Sequence, residues 1–193
     1  MQLTRERIIT AAVELIEREG VDAVSMRRIA TELGSGVMSL YNHVPSKAAL
    51  LDGVAERVIS SIDVTSAPGA SWADEVRAQA RAFRQIARAH PRCTMVAVSR
   101  PTTSTSEPPP VSRALATLRS AGFGEEDAVR IVRAFVAYVV GSLLREVGVS
   151  PSVARQQPPR QAPHPNTDHD ADFEFGLDLL VRSVADLRPA VRH

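Results

Sequence analysis

From Ile8 to Leu187 the apolar residues of this chain recur at intervals of three and four, and no segment reads as a strand, so the pattern commits it to an all-α fold. Glycine and proline cut that pattern at Gly20, Gly34 to Gly36, Pro45, Pro68-Gly69, Pro101 to Pro110 and Gly122 to Gly124. Ile8, Ala12, Leu15 and Ile16 follow a Thr4 cap and stop at Gly20, which predicts a helix over about residues 4 to 19. Ser25 caps a helix of about two turns carrying Ile29, Ala30 and Leu33, and Gly34 closes it. A second short helix, about 37 to 43, comes next. Ser46 opens a fourth, which Ala49, Leu50, Val54, Val58 and Ile62 carry to about residue 62. Further helices are expected over about 71 to 89, with Ser71 and Asp74 as a capping box, and over about 91 to 98, 110 to 120 and 125 to 147. Phe173, Leu177, Leu180, Val184 and Leu187 mark a last one. Five of the thirteen prolines lie between Pro151 and Pro165, in a polar stretch too poor in apolar residues to offset its ordering entropy. A mobile loop over about 149 to 168 is the expectation.

Composition removes several function classes. A chain of 193 residues that is 44% apolar and 23% charged is one globular protein of one or two small domains, not a disordered one. Its single cysteine, Cys93, cannot close an intrachain disulfide, and the N-terminus lacks the apolar core of a signal peptide. The most apolar run, Ala134 to Leu144, is well short of the roughly 18 residues of a bilayer span, so a cytoplasmic protein is expected. No nucleophile elbow, phosphate loop, metal-ligand spacing or Ser/His/Asp arrangement is visible, which argues against an enzyme and calls for no cofactor and no metal.

Two short helices separated by a glycine-containing turn, with a longer helix ahead of them as a brace, have the spacing of a helix-turn-helix reader of double-stranded DNA. If the helix from Val37 to His43 enters the major groove, Leu40 and Val44 hold its buried side. Val37, Met38, Ser39, Tyr41, Asn42 and His43 are then left near the bases and phosphates. Asn pairs with adenine, Val and Met touch a thymine methyl, and Ser, Tyr and His reach phosphate or base edges. Lys47, the only lysine, together with Arg27, Arg28 and the helix start under Ser25, supplies phosphate contacts. Tyr41 fits packing as well as readout, and His43 fits a core or cap position as well as a contact. Residues 1 to 57 carry seven basic against eight acidic side chains, so binding depends on local placement rather than on overall charge.

The segment VSMRRIATELGSGVMSLYNHVPSKAALLDGVAERV, with LYNHV and SKAALL following an LG turn, resembles the DNA-binding signature of the TetR family of transcriptional repressors. AGFGEEDAV and DFEFGLDLL resemble the C-terminal domain of the subgroup that includes the tetracycline repressors. Matched by position, the resemblance implies DNA contacts at Arg27, Val37, Met38, Ser39, Tyr41, Asn42, His43 and Lys47. It departs at Ala49, where many members carry an acidic residue that completes a capping box with Ser46. It further implies a DNA-binding domain over 1-46 and a larger helical effector-binding and dimerisation domain over 47-193, with helix 4 linking the two. The implied function is a dimeric repressor that reads a palindromic operator and is released by a small-molecule effector. A DNA-binding module governed by a protein partner, or unregulated, is the alternative.

Val129, Ile131, Val132, Phe135, Val136, Val139, Val140, Leu143 and Leu144 cover more than one stripe of the helix over 125 to 147, so one packing face cannot bury them. On the resemblance, Val132, Val136, Val139, Val140, Leu143, Phe175 and Leu179 form a homodimer interface. Apolar walls with a few polar tips suit drug-like ligands, and Phe83, Ile86, His90, Met95, Phe135 and Tyr138 are the candidates for an effector pocket, each of which could equally be plain core. Arg77, Arg81, Arg84 and Arg88 form a basic stripe that is expected to be solvated. Cys93 is expected to be a buried, inert thiol. A metal site built from His164, Asp168, His169, Asp170 and Asp172 is disfavoured, because its proline-rich surroundings would have to order around the ion.

Overall fold

A computed structural model describes residues 2–64, 69–100, 109–147 and 168–187. The expected mobile loop therefore lies almost wholly outside the described residues, as does His164. The described residues are helical without a strand: α1 (Arg5–Glu19), a 3-10 turn (Val21–Ala23), α2 (Met26–Glu32), α3 (Val37–Tyr41), α4 (Lys47–Ser60), α5 (Trp72–Ala89), α6 (Pro91–Ser99), α7 (Pro109–Ser120), α8 (Glu125–Val147) and α9 (His169–Asp186). None of these helices is long and apolar enough to cross a membrane.

The ends of the helices follow from short-range chemistry. The hydroxyls of Thr4, Ser25 and Ser46 accept the backbone N–H of the third following residue, Arg7, Arg28 and Ala49. Gly20, with φ 94°, closes α1. At the end of α2, Gly34 sits at φ 60°, its N–H bonds to Thr31 O, and Ser35 N–H reaches back to Ala30 O, the paired bonds of a Schellman close. In front of α5 the Ser71 hydroxyl caps Asp74 N–H and donates to the Asp74 carboxylate at 2.7 Å, so the expected capping box closes through the two side chains. The turn at Val21–Ala23 went unforeseen, since three residues carry too little periodicity to be read. The third helix stops at Tyr41 rather than His43, the chain turning where His43 and Val44 N–H both bond to Leu40 O.

The chain divides into two compact units, residues 1–63 with 85–110, and residues 64–84 with 111–193. This grouping differs from the expected boundary after residue 46, because Leu50, Val54 and Val58 of α4 share one core with Ile8, Leu15 and Ile16 of α1 and with Ile29 and Leu40. Cys93 and Val96 of α6 belong to the same core, and Glu17 of α1 accepts Cys93 N–H at 2.8 Å. In the second unit Val76 and Ala80 of α5, Leu115 and Leu118 of α7, Ile131, Phe135 and Val139 of α8, and Phe173, Leu177 and Val181 of α9 form one cluster. Trp72 and Phe123 meet edge to face at 5.5 Å.

Two expectations about side-chain placement change here. Val139 and Leu143 are 1% and 2% exposed within the single chain, so they have no surface left to offer a partner. The basic stripe of α5 is not solvated at Arg84, whose side chain is 9% exposed and binds Glu146 of α8.

Candidate nucleic-acid interface

The brace expected from sequence is present: α2 and α3 pack on α1 and α4 through Ile29, Ala30, Leu40 and Val44, all buried. Burying Leu40 and Val44 turns the opposite side of α3 to solvent. Met38 is 76% exposed and Tyr41 42%, and Ser39, Asn42 and His43 are exposed beside them. Val37, placed among the groove-facing residues from sequence, is half-buried and packs against the core.

The basic residues separate into two kinds. Arg27 and Lys47 are exposed, and among the described residues no carboxylate pairs with either. Arg28, by contrast, spends its guanidinium inside the unit, binding Glu19 at 3.0 Å and Glu32 at 3.4 Å. Arg18 bonds to the same two carboxylates, which closes a ring between the end of α1 and α2. Ser25 Oγ accepts Arg28 N–H at 3.1 Å, as the cap of α2. Sequence reasoning missed this ring because the i,i+4 pair Arg28–Glu32 is legible but the reach from Glu19 to Arg28 depends on the angle between two helices.

The proposed pocket residues are divided between the units. In the second, Phe135 is core, Phe83 is half-buried against the same core, and Tyr138 stacks on Phe173 at 5.5 Å. The Tyr138 hydroxyl donates to Phe173 O at 2.8 Å, so it works as a clasp between α8 and α9. Burial raises its pKa. Tyr138 also borders a cavity of about 330 Å³ with Ala137, Gly141, Ser142, Arg145, His169, Asp172 and Phe173, which none of the other five candidates lines. In the first unit Ile86 packs against the core, Met95 is half-buried, and His90 Nδ1 is buried without a hydrogen-bond partner. Gln79, one turn before Phe83 on α5, was overlooked; its Nε2 is buried and equally unpartnered. Its only sequence signal was a polar residue four positions from an aromatic one. Cys93 is fully buried, and burial, then the Glu17 carboxylate, pushes its thiol well above the ordinary range, so it is protonated and unreactive.

Comparison with known proteins places both units. Residues 8–54 match the family model described as bacterial regulatory proteins, tetR family, and residues 65–164 match the one described as tetracyclin repressor-like, C-terminal domain. An HTH-type transcriptional regulator of Saccharopolyspora erythraea is 30% identical over 200 residues, covering 95% of this chain and 85% of the relative. The tetracycline repressor protein class A from transposon 1721, in Escherichia coli, is 32% identical over 210 residues, covering 100% of this chain and 95% of the repressor. Among solved structures, that of the Streptomyces coelicolor TetR family protein ActR in complex with actinorhodin superimposes with a TM-score of 0.78 at 27% identity, over 98% of this chain and 100% of that one.

Proposed function

The chain belongs to the TetR family of bacterial transcriptional regulators, and from that premise we propose that it is a dimeric repressor whose two α3 helices read a palindromic operator and which a small organic effector releases. The observation that carries the DNA-reading part is the solvent-facing side of α3 and of the turn that follows it, where Met38, Tyr41, Asn42 and His43 stand clear of a core that Leu40 and Val44 anchor. Asn42 is the candidate for adenine readout, Met38 for a thymine methyl, and Ser39, Tyr41 and His43 for phosphate or base edges. Arg27 and Lys47 are the proposed phosphate contacts, chosen over Arg28 because its charge is already paired with Glu19 and Glu32 and over Ser25 because it carries none.

Two recognition helices held about 34–36 Å apart by a two-fold axis would enter successive major grooves on one face of the duplex. The exposed Phe175 and Leu179 of α9, with the half-buried Val132, Val136 and Val140 of α8, are the surface proposed for that pairing. Effector control requires the ligand to prefer the state that does not bind DNA; a hundredfold loss of operator affinity takes about 2.7 kcal/mol of coupling. The unpartnered Gln79 Nε2 beside Phe83 supports a ligand with a hydrogen-bond acceptor in that part of α5. ActR with actinorhodin and the tetracycline repressors are the similar proteins that support an organic effector.

The test is retention of sheared genomic DNA by the purified protein at near-physiological salt, followed by sequencing. A shared palindrome is the expected result. Retention without any common motif would overturn the reading of α3 as a sequence reader.

A further inference from the structure

The arginine stripe of α5 faces a stripe of carboxylates on α9, pair by pair and in antiparallel order. Arg77 Nε binds Asp178 at 2.9 Å, Arg81 makes a two-toothed contact with Glu174 at 2.6 and 2.9 Å, and Arg84 binds Asp170 at 2.8 Å. Arginines at spacings of four and three thus meet acids spaced by four, all within the second unit. Arg84 is the buried end of the row. Its guanidinium also binds Glu146 of α8 at 2.6 Å, donates to His169 O at 3.0 Å and lies 4.3 Å from the centre of the Phe173 ring.

A row of pairs with a near-constant repeat attracts α9 but does not choose its register, since a slip of one turn would bring two of the three acids opposite an arginine again. The apolar stripe Phe173, Leu177 and Val181 repeats every four residues as well and is no more selective. Gly176 breaks the degeneracy. A Cβ there would meet Tyr138 Cζ at 2.8 Å and crowd its hydroxyl, and one turn to either side stand Asp172 and Leu180, whose side chains would collide with the ring.

We propose that the α5–α9 row of ion pairs, with Gly176 opposite Tyr138 as its register lock, sets the rotation of α9 and thereby decides that a second copy of this chain meets Phe175 and Leu179. Arg77, Arg81 and Arg84 are positioning residues in this scheme: they touch neither DNA nor the second copy. Phe175 and Leu179 lie on the side of α9 away from its core stripe, 69% and 50% exposed; a turn of α9 by one residue, about 100°, would put Glu174 and Asp178 in their place, and a slip of one helical turn would put Ala171 or Ser183 where one of them stands. The inference rests on the dimeric reading above for its functional consequence, and on the described contacts alone for its mechanism.

The test uses the exposed Arg81–Glu174 pair, which can be reversed without opening the core. Arg81→Glu, Glu174→Arg and the double exchange are prepared in the full chain. Dimer dissociation is measured by sedimentation equilibrium, and backbone hydrogen exchange is followed in α9. Each single reversal is expected to raise the dimer dissociation constant, and to speed exchange in α9, on the order of tenfold, with the double exchange returning both to within about twofold. Singles that leave α9 exchange unchanged, or a double exchange no better than the worse single, would overturn the proposal. A wild-type chain that sediments as a monomer would overturn the dimeric reading and with it the consequence for the second copy; the exchange data would still judge the register mechanism.

Discussion

Arg27→Ala and Arg28→Ala remove the same guanidinium from adjacent positions, yet the structure assigns them different consequences. Arg28 holds Glu19 and Glu32, and Arg27 has no carboxylate partner among the described residues. If Arg27 touches one phosphate in each half of a dimer, its loss removes about two phosphate contacts. The slope of log affinity against log salt then falls by about 1.8. Between about 50 and 200 mM salt, a fourfold change, the ratio of wild-type to mutant affinity should shrink about twelvefold. Arg28→Ala should leave the slope alone and lower stability by the roughly 0.2–1 kcal/mol typical of half-exposed ion pairs, screened by solvent. The assay is fluorescence anisotropy on an operator fragment across that salt range, with urea unfolding of the free protein alongside. An Arg28→Ala slope as flat as that of Arg27→Ala would refute the division, because it would mean that the ring with Glu19 and Glu32 opens on DNA. A slope change near 0.9 for Arg27→Ala would instead mean that one half-site is contacted per complex.

Asn42→Ala should cost about 1–3 kcal/mol at particular base pairs of the operator and leave non-specific binding unchanged; uniform loss over a set of operator variants would make Asn42 a backbone contact. Gly176→Ala places a methyl against Tyr138, so overpacking of about 1–3 kcal/mol should exceed the gain of about 1 kcal/mol in helix propensity and lower the urea midpoint. In a Tyr138→Ala background the same change should raise it. Arg81 holds the Glu174 carboxyl below its ordinary value of 4.5 through a charge-assisted hydrogen bond. A depressed folded-state value contributes stability that is complete above that ordinary value and is lost as pH falls through the depressed one, so α9 amides should lose protection, taken relative to the intrinsic exchange rate at each pH, on acidification below about pH 4.5. Exchange in the Glu174→Gln variant, measured over the same pH range, should lack that part of the dependence.

Most of the helix boundaries were legible because their causes are local. A cap hydroxyl at Thr4, Ser25 or Ser46 acts on an N–H three residues away, and a left-handed glycine at Gly20 or Gly34 ends a helix by its own backbone freedom. The exposed side of the third helix was legible for the same reason: Leu40 and Val44 are one turn apart, and burying them leaves Met38, Tyr41, Asn42 and His43 outside. Which stripe of α8 faces inward was not legible, since Val132, Val136 and Val140 are as apolar as Ile131, Phe135 and Val139. Only the neighbouring helices select between them.

The same distinction governs the charges. Periodicity alone placed Arg77, Arg81 and Arg84 on one face of α5, and a stripe of that kind is ordinarily solvated. Their partners Asp178, Glu174 and Asp170 lie 86 to 101 residues further along the chain, beyond any local rule. Arg28, too, read as a phosphate contact until the approach of α1 to α2 brought Glu19 within 3.0 Å. What each segment becomes follows from propensity, capping and helical period, which act over a few residues. The tertiary structure decided which of the equivalent apolar stripes is core, which arginines remain available and where α9 stops sliding, because burial and Coulomb energy depend on distances that only packing sets.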